Sequence, residues 1–352
     1  MTVKTEHFEY SQAKPIWELM RLSAKGQAAI KRKQEQYLPI PNGLMQITNV
    51  PMRNKMYEAY LMRSEYPNIV QDSIKTAVGL IGKQEPEIDL PPQLGDMLEN
   101  ATADGFGLKQ LFYRVCADVV LLGRKVLLVD VDSNSRPYIA TYEPENLINW
   151  QTRLVDGRQD LSLVVLTEQR KKDNQDRFTH ETETVYRVLS LDENGYCKSE
   201  LLNEQGLPLS LGMDESGGEV YEAYYKDSVG NNLTYIPIVV TGSTDNTVDI
   251  DIIPLQAMAY AALKYYQLSA DYFQELHHTA HPQPYIIGMD EDVVPKITGA
   301  YATWTLPENA SVGYLEITGT GIEAKRQAMK DQRNIANESG AKVMDASTQE
   351  SG

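Results

Sequence analysis

LQAMAYAALKYYQLSADYFQELHH, residues 255–278, is the longest helix signal in the chain, because it contains neither Gly nor Pro. Its apolar residues form two adjacent stripes at helical spacing. A surface helix needs only one stripe. The segment is therefore expected to lie between neighbours, either within one core or against further copies of the chain. The first stripe contains Leu255, Ala259, Ala262, Tyr266, Ala270 and Phe273, and the second contains Met258, Ala261, Tyr265, Leu268 and Tyr272.

A second helix is predicted over residues 322–344, IEAKRQAMKDQRNIANESGAKVM, and it is far more polar. Its large apolar anchors are limited to Ile322, Met329, Ile335 and Val343, which indicates a helix that is partly exposed to water. The 281–321 stretch between the two helices is rich in Pro and Gly. This pattern predicts a small lobe containing strands, inserted between two helices.

The N-terminal part of the chain changes from a helical to a β-strand pattern. Helical spacing predicts helices before and after Gly26, then over 52–63, 66–81 and 108–122, the last ending at Gly123. Residues 125–131, KVLLVDV, are nearly all apolar, as in a strand covered on both faces. From 136 to 241 the period is two, which predicts a β-rich region that a short helix at 144–149 interrupts. The fold class is therefore α+β.

Composition argues against several classes of protein. The formal net charge of −16 would repel a polyanion if it were spread evenly, so a tight static DNA binder is not expected. The polar N-terminus and the lack of a long apolar run predict a protein made in the cytosol, without a membrane partner. Cys116 and Cys197 lie far apart without a partner motif, so neither a disulfide framework nor a cysteine zinc site is predicted.

Motifs for chemistry are weak throughout. DGFGLKQ and TGTGIE fall short of both nucleotide-binding glycine patterns, and GxSxG and SxxK do not occur in a convincing context. The chain is accordingly predicted not to be an enzyme and to need no cofactor. The alternative is a metal-dependent hydrolase that uses the cluster of His277, His278 and His281, since His277 and His281 are four residues apart. Against it, the cluster lacks the HExxH pattern, and helix-terminal histidines also favour the helix dipole.

The order of several stretches resembles one family of tailed-bacteriophage portal proteins along nearly the whole chain. The stretches that carry this resemblance are KRKQEQYLPIP, DGFGLKQLFYRVCADVVLLGRKVLLVDVDSNSRPYIATYEPENLINW, IPIVV, PLQAMAYAALKYYQLSADYFQELHHTAHPQP and LPENASVGYLEITGTGIEA. Each is a weak motif by itself, and their order and spacing make the resemblance specific.

The resemblance implies a ring of subunits, typically twelve, at one capsid vertex. It places a wing at 1–250, a first stem helix at 251–281, a clip at 282–319, a second stem helix at 320–340, and the start of a channel loop at 341–352. Portal proteins usually continue into a channel loop and a helical crown. This chain stops at TQESG and is expected to be truncated, so the rest of the channel loop and the crown are expected to be missing from it and not absent from the natural protein.

The resemblance also implies roles for particular residues. The residues expected to face the channel are Lys325, Arg326, Lys330 and Arg333. The residues expected at the subunit interface are Leu255, Met258, Ala262, Tyr265, Tyr266, Leu268, Tyr272 and Phe273. The residues expected to bind partners in the clip are Tyr285, Tyr301, Trp304 and Tyr314.

The partners that the resemblance implies are further copies of the chain and double-stranded DNA that passes through the channel without sequence recognition. They also include the terminase large subunit, head-tail adaptor and tail proteins, and the major capsid and scaffolding proteins. The expected location is the virion, after synthesis in the bacterial host cytoplasm.

Overall fold

The structure is a computed structural model that describes residues 2–132, 136–155, 157–172, 178–213, 217–280, 283–288, 304–315 and 320–349. It confirms a mixed α+β chain. The chain divides into two compact units. The first unit comprises Met1–Ala24, Val70–Ala257 and Gly340–Gly352, and the second comprises Lys25–Ile69 and Met258–Ser339.

The helices and strands are numbered in chain order. The α-helices are α1 Phe8–Lys25, α2 Gln27–Lys31, α3 Asn42–Met45, α4 Val50–Arg63, α5 Ile69–Ile81, α6 Leu108–Leu122, α7 Gln256–Thr279 and α8 Thr320–Gln349. The strands are β1 Arg124–Val131, β2 Pro137–Tyr142, β3 Leu147–Val155, β4 Arg158–Lys171, β5 Thr182–Leu191, β6 Cys197–Leu202, β7 Pro208–Leu209, β8 Gly212–Met213, β9 Glu219–Val220, β10 Glu222–Tyr224, β11 Ile238–Gly242, β12 Gln283–Ile287 and β13 Ser311–Leu315. Short 3-10 helices cover Gln34–Gln36, Pro92–Leu98 and Pro144–Asn146.

The first unit is built on two antiparallel sheets. One has the strand order β11-β1-β2, and the other has the order β10-β6-β5-β4-β3, with β7 paired to β6. A hydrogen bond joins them where the Tyr142 hydroxyl of β2 donates to the Glu168 carboxylate of β4 at 2.6 Å. Helix α1 is fixed to the end of α6, because the indole of Trp17 donates to the carbonyl of Leu122 at 3.0 Å.

Helix α6 ends as the sequence predicts. Gly123 adopts the left-handed conformation with φ 81°, and its N–H donates to the carbonyl of Val119 at 2.9 Å. Glycine enters this region without strain, whereas a β-carbon would add a steric penalty. A β-carbon here would also lie 3.2 Å from the side chain of Ile253. The turn into β1 therefore requires this residue type for two reasons.

Two predictions about the β region were wrong. Strand β1 is not covered on both faces, because Val129 and Val131 are exposed while Val126 and Leu128 are buried. Both neighbours of β1 are antiparallel, and antiparallel sheets commonly leave one face open. The helix predicted at 144–149 is a 3-10 turn over Pro144–Asn146, and β3 begins at Leu147, where pairing with β4 starts with a register shift between Leu147 and Asn149.

The second unit contains α4, most of α7 and the N-terminal part of α8, with the antiparallel pair β12–β13 between the last two helices in sequence. The predicted lobe therefore contains strands in its described residues. Helix α8 continues through 341–349, where the start of a channel loop was expected. Residues 341–349 contain neither Gly nor Pro, the two strong helix breakers, and the nearest Gly is Gly340 just before them. No helix among the described residues has both the length and the apolar character that a bilayer span requires.

Candidate functional site

Helix α7 contacts two other helices of the second unit through polar side chains. Helix α4 and the turn after it contact α7 through the Tyr60 hydroxyl, which donates to the Asp271 carboxylate at 2.7 Å, and through the Glu65 N–H, which donates to the Ser269 hydroxyl at 2.8 Å. One turn after Asp271, the carboxylate of Glu275 lies 2.6 Å from the ammonium of Lys325 in α8. The sequence left open whether the neighbours of α7 belong to one chain or to several; these neighbours belong to the same chain.

Helices α7 and α8 run antiparallel. The first contact joins Glu275, near the end of α7, to Lys325, near the start of α8. The second is an electrostatic interaction between the middle parts of the two helices. Burial raises the pKa of the Tyr265 phenol, Glu65 raises it further, and the positive charge of Arg333 on α8 opposes the increase. Going from the first contact to the second, the residue number falls in α7 and rises in α8. The pair is therefore a helical hairpin whose ends lead into the β12–β13 lobe.

The predicted subunit-interface residues fall into two groups. Four of them, Leu255, Met258, Ala262 and Tyr266, are buried inside the chain, and their interface role stays a prediction. The apolar spacing predicted burial but could not show which surface provides it. The other four, Tyr265, Leu268, Tyr272 and Phe273, are half-buried, and their interface role stays a prediction.

The predicted channel residues also differ from one another. The Lys325 ammonium is paired with the Glu275 carboxylate of α7, while its side chain stays 36% exposed, so its channel-facing role stays a prediction. Arg326, Lys330 and Arg333 are exposed. They are four and three residues apart, so they lie along one face of α8. Arg326 also donates to Glu323 one turn earlier at 2.6 Å.

The β12–β13 lobe presents aromatic side chains to solvent. Tyr285 on β12 and Tyr314 on β13 are exposed, and Trp304 is half-buried. Tyr285 lies directly opposite Gly313, and a β-carbon at Gly313 would come within 2.5 Å of the Tyr285 ring. The glycine thus allows the ring to cover the partner strand. Tyr301 lies outside the described residues.

The histidine cluster does not form a metal site among the described residues, where no group of three or more His, Cys, Asp or Glu side chains could hold an ion. His278 instead contacts the side-chain amide of Gln274 at 2.7 Å, one turn earlier on α7. Gln274 also accepts a hydrogen bond from Arg63 of α4 at 3.0 Å. His281 lies outside the described residues, so the predicted pair with His277 is not tested.

Sequence reasoning missed a buried arginine cluster in the first unit. Arg124 is 1% exposed, and its guanidinium lies 5.7 Å from the ring of Trp17 and 5.1 Å from the ring of Trp150. Its Nη1 donates to the carbonyl of Val248 at 3.0 Å, while Nε and Nη2 have no hydrogen-bond partner among the described residues. A buried arginine was not expected, because this residue type is rarely fully buried unless it is paired.

Burial lowers the pKa of Arg124 to about 10, while Glu9, Asp251 and Asp249 oppose the decrease. Cation–π attraction to the two indole rings compensates part of the loss of hydration. The cluster fixes the segment that precedes α7, because Glu9 also accepts a hydrogen bond from the N–H of Ile250 at 3.2 Å. The same segment lines a cavity of about 390 Å³ beside β11.

Comparisons with known proteins bear on the C-terminal part of the chain and on its fold. A family model described as "Domain of unknown function (DUF4055)" matches residues 254–351, the part that contains α7, β12, β13 and α8. No curated protein matches the chain. Chains in solved structures resemble it at 14–16% sequence identity.

Three of these structures are titled "Virion of native gene transfer agent (GTA) particle", "Neck of native GTA particle computed with C12 symmetry" and "Neck of empty GTA particle computed with C6 symmetry", with TM-scores of 0.37, 0.36 and 0.37. Each match covers 76% of this chain and 63–64% of the matched chain. The present chain therefore spans less than two thirds of the length of these relatives. TM-scores this low, at this identity, establish neither a shared fold nor a shared function.

Proposed function

We propose that this chain is a subunit of a portal ring, the channel at one capsid vertex through which phage DNA is packaged and ejected. The observation that carries the proposal is the antiparallel pair of α7 and α8, joined at the Glu275–Lys325 ion pair and enclosing the β12–β13 lobe in sequence. The resemblance found in the sequence assigns the helices to the stem and the lobe to the clip. The proposed role is structural, and ATP hydrolysis belongs to a separate packaging motor.

The exposed face of α8 supports a role as channel lining. Arg326, Lys330 and Arg333 form a short basic row on a chain with a net charge of −16. Affinity for duplex DNA grows with the number of phosphates that Lys and Arg neutralise. A few cations per subunit among many acids allow brief contacts with phosphates, whereas a strongly basic lining would retain the DNA.

The exposed aromatic side chains of the lobe are the proposed contacts for proteins that dock at the ring. Tyr285 and Tyr314 are exposed on paired strands, and aromatic residues are enriched at protein interfaces. We assign them to binding the terminase large subunit during packaging and the head-tail adaptor or tail proteins afterwards. Contacts with the major capsid and scaffolding proteins are assigned to the wing, residues 1–250.

The decisive experiment is imaging of the purified chain. Negative-stain micrographs averaged without imposed symmetry are expected to show closed rings of about twelve copies, and native mass spectrometry is expected to give the matching mass, because most soluble homo-oligomers close by rotational symmetry. A chain that stays monomeric across the accessible concentration range, also when it is extended to any longer natural form, would exclude the proposal.

A further inference from the structure

The charge of the chain is distributed very unevenly along the sequence. Residues 25–69 contain seven Lys or Arg and three Asp or Glu, a net charge of +4, whereas residues 70–257 contain sixteen Lys or Arg and thirty-one Asp or Glu, a net charge of −15. The 25–69 segment is therefore a basic island in an acidic protein. Within it, Lys25, Arg32 and Lys55 are exposed.

The same segment exposes apolar side chains on one end of a helix. Met52 and Met56, one turn apart on α4, are 54% and 37% exposed, and Met45 and Val50 beside the start of α4 are 58% and 48% exposed. These four residues are called the methionine patch. Lys55 is three residues from Met52, so it lies next to the patch. Met52 and Met56 share one face of α4, and Met45 and Val50 are their neighbours in sequence. Scattered exposed apolar residues are ordinary, but adjacent ones beside a cation are typical of an interaction site.

The helix that carries the patch is held firmly from its other face. Tyr57 is buried and its hydroxyl donates to the carbonyl of Leu38 at 2.7 Å. Asn49 caps the helix start by accepting from the N–H of Met52 at 3.1 Å. The patch therefore belongs to a helix that is held in place by these contacts. One buried hydrogen-bond donor of that helix, the Arg53 Nε, has no partner among the described residues.

We infer that the methionine patch, together with Lys55 beside it, docks onto the acidic 70–257 region of a second copy of this chain. The inference rests on the proposed ring and deepens it by naming one contact surface. In a ring, each subunit must present two different and complementary surfaces, because the contacts are head-to-tail. A basic island of +4 and an acidic region of −15 on the same chain supply this complementarity.

Duplex DNA is the other acidic partner that a basic island fits, and the patch argues against it. Contacts with DNA are made mainly by cations and hydrogen-bond donors that meet phosphates. Four exposed apolar side chains beside the cations would gain nothing from phosphate, whereas burial against protein removes them from water. Methionine is flexible and packs well against an irregular protein surface.

The first test measures assembly of the full chain by native mass spectrometry over a dilution series. Met52→Ser combined with Met56→Ser is expected to raise the concentration for half-assembly about tenfold or more, the result of losing about 1.4 kcal/mol per contact. The matched control is Met62→Ser, because Met62 is 80% exposed at the far end of the same helix. The control is expected to assemble as the wild type does, and thermal unfolding of both variants is expected to be unchanged.

The second test identifies the partner surface. Equal amounts of ¹⁴N- and ¹⁵N-labelled chain are mixed, assembled and treated with a carbodiimide, which joins an ammonium directly to a contacting carboxylate. Mixed-isotope cross-links from Lys55 to Asp or Glu of 70–257 are expected, and Lys55→Gln removes them.

Three outcomes separate this inference from the proposed function. Rings that form equally well from the double variant would overturn the docking surface and leave the portal ring intact. Retention of duplex DNA that depends on Lys55 and the patch, with assembly unchanged, would also overturn it and assign the surface to DNA. A wild-type chain that never assembles would instead remove the proposed ring itself, together with the contact that depends on it.

Discussion

Helices α7 and α8 are neighbours in the second unit, yet they bury their side chains very differently. Seven of the 24 residues of α7 are buried, including Met258, Tyr266 and Ser269. Over the residues of α8 whose burial is described, the large buried side chain is Met329, and Ala336 is buried one heptad later. Helix α7 is therefore a core element, whereas α8 is a covering element that is buried along a narrow row of side chains. A helix of the second kind has a free face on which function can be placed.

The largest expected effect is in the core helix. Tyr266→Ala removes a large, fully buried side chain and is expected to lower the free energy of unfolding by about 3–5 kcal/mol, as cavity-forming aromatic substitutions do. Urea denaturation measures the change. The matched control, Tyr260→Ala, is expected to change stability by less than about 0.5 kcal/mol, because Tyr260 is 47% exposed. Equal effects of the two substitutions would contradict the orientation of α7.

The next effect tests the buried row of the covering helix. Met329→Ala is expected to destabilise the protein by about 2 kcal/mol, the lower end of the range for buried methionine, because one face of α8 is open to water. Ile335→Ala, at an exposed position of the same helix, serves as the control and is expected to be nearly neutral. A larger loss for Ile335 than for Met329 would show that α8 is rotated about its axis.

A third prediction concerns the contact between α4 and α7. Tyr60→Phe removes the hydrogen bond to Asp271 and is expected to cost about 1.5 kcal/mol at pH 8, since the acceptor is a carboxylate. Burial, followed by Asp271, raises the pKa of Tyr60 above its ordinary value of 10.

The sign of its pH dependence follows. A phenol whose pKa is raised in the folded state stabilises the fold fully below pH 10, and this contribution is lost as the pH rises further. The difference in stability between wild type and Tyr60→Phe is therefore expected to shrink between pH 9 and 11 in urea denaturation. A constant difference would mean that the hydroxyl is exposed.

A smaller effect is expected for the ion pair between the two helices. Glu275→Gln keeps the shape of the side chain and removes the attraction to Lys325, whose side chain is 36% exposed. The expected loss of stability is below about 1 kcal/mol, because exposed ion pairs contribute little. Repeating the measurement in 1 M salt is expected to abolish the difference, whereas a loss that persists in salt would indicate a packing role.

The smallest effect on stability is expected for the exposed row of α8. Combined Arg326→Gln, Lys330→Gln and Arg333→Gln substitutions are expected to leave the melting temperature unchanged. They are expected to make the retention of duplex DNA depend less steeply on salt concentration, because about three phosphate contacts per subunit are lost. Substitution of Lys342 alone to Gln is the control. Unchanged DNA retention would argue against α8 as channel lining. It would leave the difference in burial between α7 and α8 unaffected.

Part of the candidate site follows from the sequence because its signals are local. The two helices around a Pro- and Gly-rich lobe were predicted close to the bounds Gln256–Thr279 and Thr320–Gln349. The 144–149 stretch was predicted to be a helix, but only Pro144–Asn146 form a 3-10 turn, because strand pairing with β4 begins at Leu147. Helix α8 extends to Gln349, beyond the 322–344 range that the helical pattern predicts.

By itself, the sequence determined the positions of most helices and long strands, the end of α6 at Gly123, and the contrast between an apolar α7 and a polar α8, because periodicity and chain-breaking residues act over a few neighbours. Only the tertiary structure decided that Tyr60 of α4 contacts Asp271 of α7, that Lys325 pairs with Glu275, and that Arg124 is buried beside two indole rings. These features depend on contacts between residues up to a hundred or more positions apart, which no local pattern encodes.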